Sequence, residues 1–114
     1  MDNGWIDLRD GPIAAGETPV IVWHVYQGVM LFRREAVKSN RFVTHWREID
    51  SEAWIDARIR RPTKQDADAL NCVISLNKWG DVSMAGWHRF EHEAELVRWQ
   101  SPPEAPASFT RITK

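Results

Sequence analysis

The sequence predicts a mainly β protein, α+β with a minor helical part, in which two tandem repeats of roughly fifty residues, each built on a β-hairpin, pack into one compact unit. Three observations predict this fold. Landmark motifs recur in the same order in the two halves, short apolar runs are separated by Gly and Pro, and the chain of 114 residues has the length of one domain. We therefore predict a first repeat over 1–50, a second over 51–103 and a loose C-terminal tail over 104–114.

Four landmarks carry the internal repeat. Each copy is predicted to contain an opening strand, a Pro-containing loop, a hairpin that turns near a Gly, and a closing strand that ends on a Trp. The matched pairs are Trp5-Ile6-Asp7 with Trp54-Ile55-Asp56, Val20-Ile21-Val22 with Cys72-Val73-Ile74, Gly28 with Gly80, and Val43-Thr44-His45-Trp46 with Leu96-Val97-Arg98-Trp99. Their spacings of 49, 52, 52 and 53 residues differ by only four.

Helical structure is expected in two places. Thr63 is placed to cap a short helix over 64–70, and the variable segment 85–95 of the second copy has room for one or two helical turns. The corresponding segment of the first copy is 32–42. After Trp99, the Pro-rich run 101–108 cannot continue a central strand, which is why a loose tail is expected there.

The alternation of apolar residues predicts which strand faces form the core. In the second copy one face is apolar and the other mostly polar, whereas in the first copy both faces are apolar. The predicted core residues are Val20, Val22, Met30 and Phe32 in the first copy and Cys72, Ile74, Leu76, Val82 and Met84 in the second; the mostly polar face of the second copy carries Val73, Ser75, Asn77, Asp81 and Ser83.

The outer face of the first hairpin is too apolar to be left in water. Each large side chain gains about 1.5 to 3 kcal/mol on burial, so something must cover the face. Coverage within the chain, by the variable segments or the other copy, is one reading, and an interface with a partner or in a homodimer is the other. The candidate interface residues are Ile21, Trp23, Val25, Val29 and Leu31.

Composition narrows the classes of partner. Fifteen Lys and Arg against 16 Asp and Glu give a net charge of -1, so binding to duplex nucleic acid is not expected, although a local basic patch remains open. No targeting signal and no run of eighteen apolar residues is present, which predicts a cytoplasmic protein with no membrane partner. Cys72 is the single cysteine and is expected to be a buried thiol rather than a nucleophile.

Known catalytic patterns are not found in the sequence. His88 and His92 have a spacing that suits metal ligands on a helix, but the stretch lacks the Glu that follows the first His in a metalloprotease helix. No Gly-rich phosphate loop or nucleophile motif occurs, and pairs such as Asp7 and Asp10 lie where turns favour Asp. We therefore predict no metal, no cofactor and no enzyme activity.

Aromatic and guanidinium groups suggest binding instead. Seven Trp must fill cores, cover interfaces or stack on ligands. Such groups near the two hairpins suit a small nucleotide-like ligand, while the alternative is that the Trp are core and the Arg are solvated. His45 is predicted either to bind a ligand or to bond to a neighbouring strand. The candidate ligand-binding residues are Trp23, His24, Tyr26, Arg33, Arg34, His45, Trp79, Trp87, His88 and Arg89.

The motif order also resembles a known family. Trp5-Ile6, Pro12, Val20-Ile21-Val22 and Thr44-His45-Trp46 in the first copy, and the Pro-rich run 100–106 in the second, are similar to a small phage and prophage domain of unknown function, family 551. Arg47-Glu48-Ile49 and Val97-Arg98-Trp99 depart from the family pattern. The resemblance implies a phage or prophage origin and brings no activity with it.

The expected function is a non-catalytic accessory binding protein of a phage or prophage. Because phage genomes carry many small proteins that counter bacterial defence, we expect it to sequester a nucleotide-derived immune signalling molecule. One alternative is an inhibitor that binds a host or defence protein through the apolar face of the first hairpin, as anti-CRISPR proteins do. Another is a purely structural accessory protein.

Overall fold

The structure, a computed structural model, describes residues 4–106 and confirms a mainly β fold. The chain divides into two units, one containing the residues up to Ile49 and those from Pro103 onward, the other Asp50–Pro102. The first unit contains β1 (Ile6–Asp7), β2 (Val20–His24), β3 (Gly28–Phe32), α1 (Arg34–Lys38) and β4 (Val43–Arg47), with a 3-10 helix at Leu8–Asp10. The second contains β5 (Ile55–Asp56), β6 (Cys72–Asn77), β7 (Val82–Gly86) and β8 (Leu96–Gln100), with 3-10 helices at Lys64–Asp66 and Trp87–Phe90.

Both four-stranded sheets are antiparallel and have the same strand order. The orders are β1-β4-β2-β3 and β5-β8-β6-β7, so the closing strand of each unit lies between the opening strand and the first strand of the hairpin. The hairpins turn at Gly28 and Gly80, whose φ angles of 84° and 85° lie in the left-handed region that favours glycine. The shared order agrees with a duplication, whose evolutionary origin stays a prediction.

The core of the first unit lies where the sequence predicts it. Val20 and Val22 are fully buried, and they pack with Trp46 and with Val37 of α1. Met30 and Phe32 are partly buried against this cluster. Alternation of side chains along β2 and β3 therefore places the expected residues on the core face.

Arg34 connects separate segments of this unit through hydrogen bonds. Its guanidinium is almost fully buried, and it donates to the carbonyl oxygen of Thr18 at 2.8 Å, to that of Ala14 at 3.0 Å and to Oε1 of Glu48 at 2.6 Å. A buried charge is tolerated only when it is paired and hydrogen-bonded, and these bonds meet that requirement. Arg34 thus joins α1 to the loop before β2 and to the segment after β4.

The predicted core face of the second unit was wrong. The buried cluster contains Val73, Trp99 and Leu96, with Ala57 and Phe90, and Val73 belongs to the face expected to be mostly polar. The adjacent face residue Ser75 is also buried, and its hydroxyl lies 2.8 Å from that of Ser83. Of the residues predicted as core, Ile74 is fully buried on the opposite face, whereas Cys72, Leu76, Val82 and Met84 are only partly buried.

Strand register explains the error. Trp46 pairs with Val22 in the first sheet, and Trp99 pairs with Ser75 in the second. The hairpins therefore correspond at a spacing of 53 residues, so that Val20–Val22 matches Val73–Ser75 rather than 72–74. A shift of one residue moves every side chain of a strand to the other face. Cys72 is accordingly half-buried, and burial together with nearby Asp68 raises the pKa of its thiol.

The apolar outer face of the first hairpin is covered within the chain. Ile21, Trp23, Val25 and Val29 are buried, and Leu31 is half-buried. An external partner is therefore not needed to remove these side chains from water.

The C-terminal segment differs from the expected loose tail as far as Pro106. The indole N–H of Trp5 donates to the carbonyl oxygen of Glu104 at 2.7 Å, and Pro106 is fully buried. Residues 107–114, the rest of the predicted tail, lie outside the described residues. Within residues 4–106, no helix has the length and apolar character needed to cross a membrane.

The two closing-strand tryptophans provide a test of this fold. Both indoles are buried, but the N–H of Trp99 donates to the carbonyl oxygen of Arg60 at 2.8 Å, whereas that of Trp46 has no hydrogen-bond partner among residues 4–106. We expect Trp99→Phe to lower the free energy of unfolding by about 0.5 to 1.5 kcal/mol more than Trp46→Phe, because it removes a hydrogen bond that the Trp46 indole does not make within residues 4–106. Urea unfolding of the two variants measures the difference, and equal losses would contradict it.

Candidate functional site

A cavity of about 440 Å³ lies in the first unit. Its walls come from the end of β1, the 3-10 helix that follows, the first part of β4, and Arg41 just before β4. The volume is within the range of small-ligand pockets, about 300 to 1,000 Å³. The lining combines apolar, cationic, acidic and hydroxyl side chains: Asp7, Leu8, Arg9, Arg41, Val43, Thr44 and His45.

A β-bulge shapes the part of the cavity wall that β4 forms. Trp23 pairs with His45, but the next residue of β2, His24, pairs with Val43, so Thr44 is the extra residue. A bulge bends the strand and redirects its side chains, and bulges are common beside functional sites. Here the Thr44 hydroxyl lies 2.8 Å from Nδ1 of His45.

His45 lies between a hydroxyl and a carboxylate. The imidazole is buried, with Nδ1 next to Thr44 and with Nε2 3.8 Å from Oδ2 of Asp7. The second distance is longer than a hydrogen bond but short enough for an ion pair when the ring is protonated. The pairing of β1 with β4 causes this proximity, because Asp7 and His45 are directly opposite each other.

Asp7 is held by Arg9. Its carboxylate accepts the backbone N–H of Arg9 at 2.8 Å, and it accepts Nε at 3.1 Å and Nη2 at 2.7 Å from the guanidinium. These hydrogen bonds, with smaller contributions from the charges of Arg9 and His45, lower the pKa of Asp7 from 3.8 to about 2. Asp7 is therefore anionic at neutral pH, and Arg9 is fixed in place although its side chain is 90% exposed.

The second unit repeats this Asp–Arg pair and the bulge in the closing strand, but it carries different side chains beside them. Asp56 accepts the backbone N–H, Nε and Nη2 of Arg58, and its pKa is also lowered to about 2, chiefly by these hydrogen bonds. The bulge recurs in β8 at Val97. However, Val97 stands where the first unit has Thr44, and Arg98 stands where it has His45.

Aromatic rings lie next to the cavity. The guanidinium of Arg41 is 5.1 Å from the ring centre of Phe42, and the ring of Phe42 contacts Tyr26 at 5.3 Å and His24 at 5.7 Å. Tyr26 is 37% exposed. His24 is buried, and its Nδ1 accepts the backbone N–H groups of Tyr26 and Gln27, so its visible role is to hold the hairpin turn.

Of the predicted ligand-binding residues, His45 alone lines this cavity. Tyr26 and His24 contact Phe42 beside the cavity. Trp23 is buried, Arg34 is bonded to the loop before β2, and Arg33 is exposed just before α1.

The other four predicted residues belong to the second unit. Trp79 is 65% exposed beside Lys78, and Trp87 is partly buried against the core. His88 and Arg89 are exposed in a four-residue 3-10 helix, and Arg89 pairs with Glu93 at 3.9 Å. That helix ends before His92, and no cluster of three potential metal-binding His, Cys, Asp or Glu residues occurs within residues 4–106.

Four charged or polar lining residues were not recognised as ligand-binding from the sequence: Asp7, Arg9, Arg41 and Thr44. The sequence contained a signal for Asp7 and Arg9. The repeated motif extends two residues further than Trp-Ile-Asp, because Arg9 and Arg58 follow the Asp at the same spacing. Arg41 has no such counterpart, and only the fold brings it to the cavity.

Comparison of the chain with protein-family models, with curated proteins and with solved structures gave no match. The resemblance to the phage domain family therefore stays a prediction.

The Asp7–Arg9 pair predicts a pH effect. Because the pKa of Asp7 is lower in the folded than in the unfolded protein, the pair stabilises the fold above about pH 4, near the ordinary aspartate pKa, and this contribution is lost as the pH falls towards 2. Arg9→Ala should raise the pKa of Asp7 towards 3.8 and should not change that of Asp56. Arg58→Ala is the matched control with the reverse effect. Side-chain carboxyl titration by NMR measures both, and an unchanged Asp7 pKa in Arg9→Ala would be contrary to this assignment.

Proposed function

We propose that this chain is a non-catalytic binding protein that sequesters a small nucleotide-derived anion in the cavity of the first unit. The observation that carries the proposal is the lining of that cavity, in which Arg9 and Arg41 stand beside the Thr44 hydroxyl and the His45 imidazole. Guanidinium and hydroxyl groups are suitable donors to phosphate oxygens.

The remaining lining fits the rest of such a ligand. Leu8 and Val43 supply an apolar surface for a base or a ribose. Phe42 and the partly exposed Tyr26 lie next to Arg41, where a base can stack on an aromatic ring. The cavity thus combines anion recognition with apolar and aromatic contacts.

The bonding of the Asp7 carboxylate to Arg9 favours a binding role over a catalytic one. Arg9 holds Asp7 side-on and engages both oxygens of its carboxylate, which lies 3.8 Å from Nε2 of His45. Thr44, His45 and Asp7 are therefore interpreted as a polar wall of a binding site.

The biological part of the proposal depends on the family resemblance. A phage or prophage protein with such a site suits counter-defence in the cytoplasm of the bacterial host, by removal of a nucleotide immune signal. The alternative, direct inhibition of a defence protein through the apolar hairpin face, is less favoured because Ile21, Trp23, Val25 and Val29 are buried.

Thermal unfolding with a ligand panel tests the proposal. The panel contains a cyclic mononucleotide, a cyclic dinucleotide and ADP-ribose. A ligand that binds only the folded state at one hundred times its Kd stabilises it by about 2.7 kcal/mol, which raises the Tm by several degrees. We expect at least one ligand to do so, and we expect Arg41→Ala to weaken its binding by about tenfold because a charged hydrogen bond to phosphate is lost.

Arg33→Ala is the matched control. Arg33 is an exposed arginine of the same unit that does not line the cavity, so its loss should leave the Tm shift unchanged. A folded protein that shows no shift with any member of the panel would argue against a nucleotide ligand. A Tm shift of unchanged size in Arg41→Ala would show that the ligand binds elsewhere.

A further inference from the structure

The second unit contains a concentration of arginines that the proposed function does not use. The segment 54–61 reads Trp-Ile-Asp-Ala-Arg-Ile-Arg-Arg, with three Arg and one Asp, and Arg98 lies directly across from Asp56 in the β5–β8 pairing. The second unit contains seven Lys and Arg against nine Asp and Glu, so this excess of positive charge is local to the segment and its neighbour Arg98.

Two of these arginines have structural roles. Arg60 binds Asp66, with Nη1 2.9 Å from Oδ2, and its guanidinium lies 4.8 Å from the ring centre of Trp99. Arg61 donates from Nη1 to the carbonyl oxygens of Phe90 and Glu93 at 3.2 and 2.8 Å. Arg58 and Arg98 are therefore the members of the cluster that face a possible ligand.

Arg58 is both fixed and accessible. Its bonds to Asp56 use Nε and Nη2, along one edge of the guanidinium, and its side chain is 91% exposed. The Nη1 group takes no part in these bonds, so this edge of the Arg58 guanidinium points away from the carboxylate. Holding the guanidinium in one orientation reduces the side-chain entropy that binding must remove.

Arg98 supplies the second charge. Residues directly opposite each other in antiparallel strands project to the same face, so Arg98 and Asp56 share a face, and Arg98 is exposed. The positive charge of Arg98 contributes to lowering the pKa of Asp56, which indicates that the two groups are close. Two guanidinium charges against one carboxylate leave this edge cationic.

We propose that Arg58 and Arg98 form a second anion site, specific for a phosphate group, at the position of the second unit that corresponds to Arg9 and His45. A fixed guanidinium fork matches the geometry of phosphate oxygens, and a second cation beside it favours a dianion. The site lies in a different unit from the cavity and extends the protein's binding capacity beyond the proposed function.

Amide NMR spectroscopy with inorganic pyrophosphate tests this site directly. Saturable shifts are expected at the amides of Ala57, Arg58 and Val97, which surround the Asp56–Arg58 pair. Arg58→Ala should weaken this response by about tenfold or more and leave the response of the first-unit cavity unchanged. Arg98→Gln, which keeps a polar side chain but removes the charge, should weaken it in the same direction.

Two controls separate phosphate recognition from other causes. Arg89→Ala removes an exposed arginine of the same unit that pairs with Glu93, and it should leave the pyrophosphate response intact. Sodium chloride at matched ionic strength should not reproduce the shifts. AMP and inorganic phosphate each present one phosphate group of similar charge, so saturation of the same amides by both means that the site reads the phosphate alone, as proposed, whereas a response to neither overturns the site.

The outcomes distinguish the two proposals. If the cavity of the first unit responds but Ala57 and Arg58 do not, the second site is overturned and the proposed function stands. If sodium chloride produces the same shifts, or if folded Arg58→Ala and Arg98→Gln bind pyrophosphate at Ala57 as the unmodified protein does, the second site is likewise overturned. A response at Ala57 without one in the cavity supports the second site and counts against the proposed function.

Discussion

The closing strand of each unit is the constraint on which the rest of the structure depends. β4 and β8 are paired on both sides, with the opening strand on one edge and the hairpin on the other. A slip in either closing strand would therefore disturb two pairings at once. Trp46 and Trp99 mark the register, because each packs into the core while it lies opposite the middle of the first hairpin strand.

The same strand also builds the candidate site. In both units a bulge interrupts the closing strand two residues before the Trp, and the Asp of the opening strand lies opposite the residue between them. The two units therefore share this backbone arrangement, and the side chains at the equivalent positions decide what each site can bind. Thr44 and His45 make a polar wall beside a cavity in the first unit, whereas Val97 and Arg98 leave an exposed cationic edge in the second.

Arginine roles illustrate how strongly tertiary context acts. Arg34 is buried and bound to two carbonyl oxygens and a carboxylate, Arg9 and Arg58 are fixed on the surface by their own Asp, and Arg33 is exposed. These residues are chemically identical and some are adjacent in sequence. Their roles differ because the partners of Arg34 lie 14 to 20 residues away in the sequence, whereas Arg9 and Arg58 each bond to an Asp two residues before them.

The sequence by itself determined the mainly β class, the two hairpins and the core of the first unit, because alternation, glycine turns and apolar runs are local signals. It did not determine the core face of the second unit, since a spacing of 52 or 53 residues matches the motifs almost equally well but exchanges the two faces of β6. It also could not bring Asp7 to His45, which are thirty-eight residues apart. Only strand pairing joins them, and the tertiary structure therefore decided where the site lies.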